Sequence, residues 1–343
     1  MPLADCQLIT DVLEEYSAIT RTWMGRYLEG GEPKTYLYDL ASNYPMRGGR
    51  GMRPSLCLAS TRAVGGDEQQ AVLTAVALEL MHNATLVHDD IEDASELRRG
   101  QPTLHAMHGV PLAINAGDLL MTLAAQPLLD NVERIGPELS LRVFTEFHTA
   151  ARETAEGQAL ELGWRQENEV DLTPCDYHAM VFKKTSWLSV VHPMRLGVLI
   201  GNRGRRPLDE FVRLGFFLGS AFQIQDDVLN LLGDESAYGK ENCGDIAEGK
   251  RSLMLIHLLG ELNGADRQKL KEILGLSRDE RSAQVPWVQA QMRACGSIDY
   301  ARRVLHAHAG AAMHEFERAF GSLPDTREKR FIKNLIYWVI ERS

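Results

Sequence analysis

Two acidic clusters carry the residue types and spacing that can do chemistry in this chain: His88-Asp89-Asp90-Ile91-Glu92-Asp93 and Gln223-Ile224-Gln225-Asp226-Asp227-Val228-Leu229-Asn230. Each sets adjacent aspartates inside an apolar, helix-like run, and buried charge is costly unless something compensates it. Two such clusters imply a shared cavity that gathers hard divalent cations. Ligands that offer only oxygen, with no Cys or His set beside them, point to Mg²⁺ rather than zinc. Mg²⁺ keeps waters and recruits phosphate oxygens, so the expected substrate is a phosphate ester or a diphosphate. On a helix Asp89 and Asp93 share a face, with Asp90 about 100° round the axis from Asp89. In the second cluster the position four after Asp226 is Asn230, which offers a carbonyl oxygen without charge.

Basic residues sit in several separate segments. Gly48-Gly49-Arg50-Gly51-Met52-Arg53-Pro54 places two guanidinium groups three apart after a turn; Arg98-Arg99 follows the first cluster; Lys184-Thr185, Lys240 and Lys250-Arg251 come later. Arginine forks match phosphate oxygens in pairs, whereas lysine acts as a point charge. An ordinary charged surface explains any one segment. The whole set fits two anionic substrates, one on Mg²⁺ and one on Arg and Lys directly.

The elements that must position these groups read as helices. Apolar residues recur at steps of three and four from Asp67 to Asp90, and again over Ile114–Leu129, with Pro127 near its end. Leu139–Trp164, Tyr177–Ile200, Leu208–Leu232, Ser252–Leu262 and Asp299–Phe320 are further candidates. Strand-like alternation is scarce and no linker divides the chain, so the expected fold is all-α: a single large helical bundle over 1–343 with a central active-site cavity. A net charge of −10 argues against a nucleic-acid partner. Five scattered cysteines without a CxxC pair fit free thiols in the cytoplasm. Met1–Thr10 lacks the pattern of a signal peptide. No apolar run is expected to reach the 18 or so residues that span a bilayer, so no stable membrane insertion is expected either.

Gly48–Pro54, Met81-His82-Asn83-Ala84 through Gly100, Lys184-Thr185 and Phe222 through Lys250 together resemble the isoprenyl diphosphate synthases of the trans-polyprenyl synthetase family. Their form is most similar to geranylgeranyl diphosphate synthases of the eukaryotic type, in which Asn230 is a tolerated variant. The resemblance implies that Asp89, Asp90, Asp93, Asp226 and Asp227 hold as many as three Mg²⁺ ions on the diphosphate of an allylic substrate. Arg98, Lys184, Lys240 and Lys250 would contact that diphosphate. Arg50, Arg53, His82 and Arg99 would bind isopentenyl diphosphate, while Thr185 and Gln223 would present dipoles to an allylic cation. A homodimer is also implied. Two departures stand out: the family usually has Lys at the place of Arg50 and often Arg at that of Gly51.

In the family the chain resembles, an aromatic four or five residues before the first aspartate of this cluster stops growth early, so the small Thr85 and Ala84 there imply a product other than a strict C15. Met81, with Leu119, Leu120 and Met121 on the next helix, would form a soft floor, which fits C20 first and C25 or longer second. A class I terpene cyclase would use the same metals but has no need of Arg50, Arg53 and His82. A non-catalytic subunit would be expected to lack aspartates of the first cluster.

Overall fold

The structure is a computed structural model that describes residues 4–232 and 243–342. Its helices are α1 (Cys6–Leu28), α2 (Asp39–Met46), α3 (Met52–Ala63), α4 (Val72–Glu92), α5 (Leu104–His108), α6 (Val110–Leu123), α7 (Ala125–Ile135), α8 (Pro137–Gln166), α9 (Pro174–Val181), α10 (His192–Gly201), α11 (Val212–Leu232), α12 (Gly244–Glu248), α13 (Leu253–Glu261), α14 (Gly264–Leu274), α15 (Arg278–Ser282), α16 (Val285–Ala294), α17 (Ser297–Phe320) and α18 (Arg327–Glu341). Among the described residues the only strands are β1 (Leu97–Arg98) and β2 (Gln101–Pro102), a short antiparallel pair just after the first aspartate cluster. The fold is all-α, as expected.

Helix α4 is apolar on almost every face from Val72 to Val87 and is wrapped accordingly by α1, α3, α6, α7 and α8. Its last turn carries Asp89, Asp90 and Glu92, and Asp93 caps it. Helix α11 packs against α17, α18 and the segment between α9 and α10, and brings in the second cluster. Buried apolar side chains from Ile9 to Val339 form one contiguous cluster.

Several details differ from the sequence expectations. Helix α4 starts at Val72, because the Asp67 carboxylate accepts from Gln69 N at 3.0 Å and closes a separate turn over Glu68–Gln70. The run expected over Ile114–Leu129 is two helices stepping at Ala124. Pro127 lacks an N–H and its ring crowds the carbonyl four residues back, at Leu123. The stretch Tyr177–Ile200 is interrupted by a ten-residue π-helix, Phe182–Val191. Together α6 and α7 (Val110–Ile135) are long and apolar enough to cross a membrane by length and composition, contrary to expectation. Their inner face, Ala113, Ala116, Gly117 and Leu120, is nevertheless buried, and α6 packs on α4.

Candidate active site

One cavity of about 750 Å³ opens between α4, α8, α11 and the π-helix. Asp89 from the first cluster and Asp226 and Asp227 from the second line it together, so helices far apart in sequence bring carboxylates of both clusters to one space. Arg53, His82, Arg98, Arg99, Lys184, Thr185, Gln223 and Lys250 also line it. Lys240 lies outside the described residues.

The first cluster is closely matched by cations. Arg98 grips the fully buried Asp90 through Nε, 3.0 Å from both carboxylate oxygens, and through Nη2; Tyr44 donates to Asp90 Oδ2 at 2.6 Å. Asp90 is therefore turned away from the cavity, a correction to its expected place among the ligands. Asp93 is also buried, held by Arg165 and by Lys250 Nζ at 2.7 Å. Burial alone would raise the Asp93 pKa, but Lys250, Lys184 and Arg165 hold it below the usual carboxylate value. Lys184 Nζ lies 3.3 Å from Asp89 Oδ1 and 3.0 Å from Glu161 Oε2. Lys250 also reaches Glu248 at 2.7 Å.

In the second cluster Asp226 meets Arg342 at 2.6 Å, whereas the partners of Asp227 among the described residues are neutral. Tyr177 OH donates to Asp227 Oδ2 and Gln223 Nε2 to Asp227 Oδ1, both at 2.8 Å. Gln223 Oε1 in turn accepts from Thr185 Oγ1 at 2.8 Å, so Thr185 and Gln223 are held as one chain at the cavity wall. Burial, with Asp245 and Asp226 nearby, pushes the Asp227 pKa up to about 8 despite these hydrogen bonds. Asn230 does not serve as the expected oxygen at the cavity. Its Oδ1 accepts from Asp245 N at 3.1 Å, and it is Asp245 that lines the cavity.

The anion-binding residues divide. Arg53 is half-buried, donating to Ser189 Oγ at 2.7 Å and lying 3.0 Å from His82 Nε2. Burial, with Arg53, Arg99 and Arg98 close by, takes the His82 pKa well below 6.5. A neutral His82 accepts from Arg53 at Nε2 and keeps its proton on Nδ1. Arg99 Nη1 donates to the Tyr44 carbonyl at 3.1 Å. Arg50 is not brought to the cavity wall; it is exposed, over the Trp338 ring at 5.1 Å. Gly51 has φ +59°, and a Cβ there would fall 1.8 Å from Ser17 Oγ, which accounts for glycine at that position.

Thr85, Met81, Leu86 and Met121 face the cavity, with Ala151, Ala155, Ala159 and Leu162 of α8 opposite. Ala84 and Leu120 are buried behind this wall and, like Leu119, do not line the cavity, so only Met121 represents its helix in the floor.

Several members of the site went unread in the sequence. Gln158, Glu161 and Arg165 share one face of α8 at steps of three and four; Gln158 contacts Glu92, Glu161 holds Lys184 and Arg165 holds Asp93. That spacing was available as a signal. Tyr44, Tyr177, Asp245 and Arg342 carried none.

A hard divalent cation fits this donor set. Carboxylates from opposing walls face one cavity with oxygen donors, and among the described residues Asp227 has no ion pair. Among the described residues no three acidic, His or Cys side chains form a closed cage by themselves. An Mg²⁺ completed by phosphate oxygens needs no such cage.

Comparison with known proteins points the same way. The sequence profile described as polyprenyl synthetase matches residues 34–292. The chain is 33% identical to a short chain isoprenyl diphosphate synthase of Methanothermobacter thermautotrophicus, over 98% of this chain and 99% of the relative. It is 29% identical to a geranylfarnesyl diphosphate synthase of Natronomonas pharaonis, covering 88% and 89%. The crystal structure of a geranylgeranyl pyrophosphate synthetase from Pyrococcus horikoshii superposes with a TM-score of 0.86 at 34% identity, covering 98% and 99%.

Proposed function

The chain belongs to the polyprenyl synthetase family and is a prenyl-transferring enzyme, and we propose that it condenses isopentenyl diphosphate with an allylic diphosphate to give a linear C20 diphosphate. The observation that carries this reading is the single cavity lined by both aspartate clusters, by Arg53, His82 and Arg99, and by an apolar wall.

Asp89, Asp226 and Asp227 would hold Mg²⁺, joined by Asp93 once Lys250 turns to phosphate. When bound, the metal neutralises charge that gathers on the departing diphosphate. Arg98, Lys184 and Lys250 hold the same diphosphate with charge-assisted hydrogen bonds. Asp90 acts through Arg98, fixing its direction. Arg53 and Arg99 grip the second diphosphate, and the neutral His82 can donate from Nδ1. The Thr185–Gln223 pair turns dipoles toward an allylic cation without a nucleophile to trap it. Leu86, Met121 and the α8 alanines keep out water that would quench the cation. The proton lost after carbon–carbon bond formation goes to the released diphosphate.

C20 rests on Thr85, which leaves the upper cavity open, and on Met81 and Met121, which narrow it below. Methionine is compliant, and a relative of this chain is named for geranylfarnesyl diphosphate, so C25 is the second reading. Incubation with Mg²⁺, isopentenyl diphosphate and C5, C10 or C15 allylic diphosphates, followed by mass spectrometry, tests both. A linear C20 diphosphate is expected. A C25 product keeps the chemistry and moves the floor, and a hydrocarbon formed without isopentenyl diphosphate overturns the reading.

We also infer a homodimer through α7 and α8, where Leu129 is 58% exposed and Leu141 67% exposed, with Val132 and Phe144 beside them. Contiguous exposed apolar surface marks an association site. Leu141→Glu should give a monomer by light scattering; an unchanged mass rejects this interface. The five cysteines form no disulfide with one another, in keeping with a cytoplasmic protein.

A further inference from the structure

We propose that Arg342, the residue after α18, is a place-holder for the cation at the second aspartate cluster: it neutralises Asp226 before metal arrives and gives that carboxylate up when metal–diphosphate binds. The inference rests on the cation–diphosphate reading above. Arg342 Nη2 lies 2.6 Å from Asp226 Oδ1, and only 6% of the Arg342 side chain is exposed. Other contacts converge from the same turn of α11. Nη2 donates to the Phe222 carbonyl at 2.8 Å, Gln225 Nε2 donates to the Arg342 carbonyl at 2.7 Å, and the guanidinium sits 4.0 Å from the Phe222 ring centre. Arg342 is thus docked on the cluster itself rather than on the general surface.

Three features make the contact exchangeable. Arg342 lies on extended backbone beyond the last helical turn (φ −64°, ψ 133°), so its side chain can leave without unwinding α18. A divalent cation on Asp226 would compete for the same oxygen lone pairs and repel a guanidinium only a few ångströms away. The Trp338 indole, with Arg342 at 5.5 Å on its face and Arg50 at 5.1 Å, adjoins the site that must rearrange. Cation binding and Arg342 release are then linked, and the linkage is reciprocal.

The test titrates Mg²⁺ in the presence of inorganic diphosphate into wild type, R342Q and R342K. Calorimetry reads the affinity and tryptophan emission reads the exchange, with W338F assigning the signal. R342Q should bind roughly three- to tenfold tighter in Mg²⁺, and the Trp338 emission change seen in wild type should vanish. R342K, which keeps the charge but loses the fork, should fall between them. Equal or weaker binding by R342Q overturns the proposal, as does an emission change that survives in W338F. Wild type that binds no metal–diphosphate at all overturns the reading of the cavity and this inference together; equal binding by all variants overturns the inference alone.

Discussion

The two aspartate clusters resemble each other in sequence and differ in how their charge is balanced. At the end of α4, Asp90 is held by Arg98, and Asp93 by Arg165 and Lys250, so the protein supplies the counter-charge itself. On α11, Asp227 is hydrogen-bonded by a tyrosine and a glutamine, with Asp245 and Asp226 adding like charge. The first cluster is a largely finished structural unit whose carboxylates at the cavity are Asp89 and Glu92. In the second, Asp226 is paired with Arg342 while Asp227 has no ion pair among the described residues, and a cation is what completes that buried carboxylate. Similar motifs can therefore divide the handling of one cation between them, the first by positioning and the second by recruiting.

The largest expected effect falls on both sides of this comparison alike. Asp89→Ala and Asp226→Ala each remove a carboxylate that faces the cavity, and steady-state assays should show kcat reduced about 10³-fold, the scale for losing one electrostatic contact to developing charge. Near-normal turnover in either variant would remove that residue from the metal site.

Stability should then separate the clusters. Asp93→Ala leaves Arg165 without its carboxylate partner and strips one from Lys250, and breaking a buried pair costs about 3 kcal/mol or more. Denaturant titration should register that loss, and an unchanged midpoint would show that the first cluster is not self-balanced.

Positioning by the π-helix comes next. A Cβ on Gly157 would lie 2.2 Å from Lys184 N, a backbone atom that must then move. Gly157→Ala should lower kcat about 10²-fold, the scale for misplacing a catalytic group by about 1 Å, with a much smaller change in KM. Loss of KM alone would separate the π-helix from the chemical step.

The smallest effect is a slope. The Asp227 pKa rises from 3.8 to about 8 in the folded chain. The unfolded chain releases this proton first, so the native state holds an extra proton between those values. Stability of the metal-free protein should fall as pH rises through that window, by at most about 1.4 kcal/mol per pH unit. Asp227→Asn should flatten the curve; parallel curves for wild type and variant would place the deficit elsewhere.

Much of this arrangement was legible in the chain. The two clusters, Lys184-Thr185 and the basic segments announce themselves because each is compact in sequence, and α4 and α11 are apolar over long runs. What could not be read depends on distant partners. Asp90 turns from the cavity because Tyr44, on another helix, and Arg98 take both its oxygens. Asn230 yields its expected role because a backbone N–H from the next segment claims its oxygen. The π-helix arises where Gly157 and Gly219 let two neighbouring helices come close, a feature no local periodicity encodes. Arg342 stands 116 residues beyond Asp226, with no spacing to link them.

The most direct test of the charge-deficit account counts protons. Mg²⁺ with inorganic diphosphate would be bound at pH 7, in buffers of different ionisation enthalpy, to wild type and to Asp227→Asn. With its pKa pushed up to about 8 by burial and by Asp245, Asp227 should make wild type release more protons than the variant, by up to about one. Identical proton release from the two proteins would contradict the account, because it would mean that Asp227 carries its charge before the cation arrives.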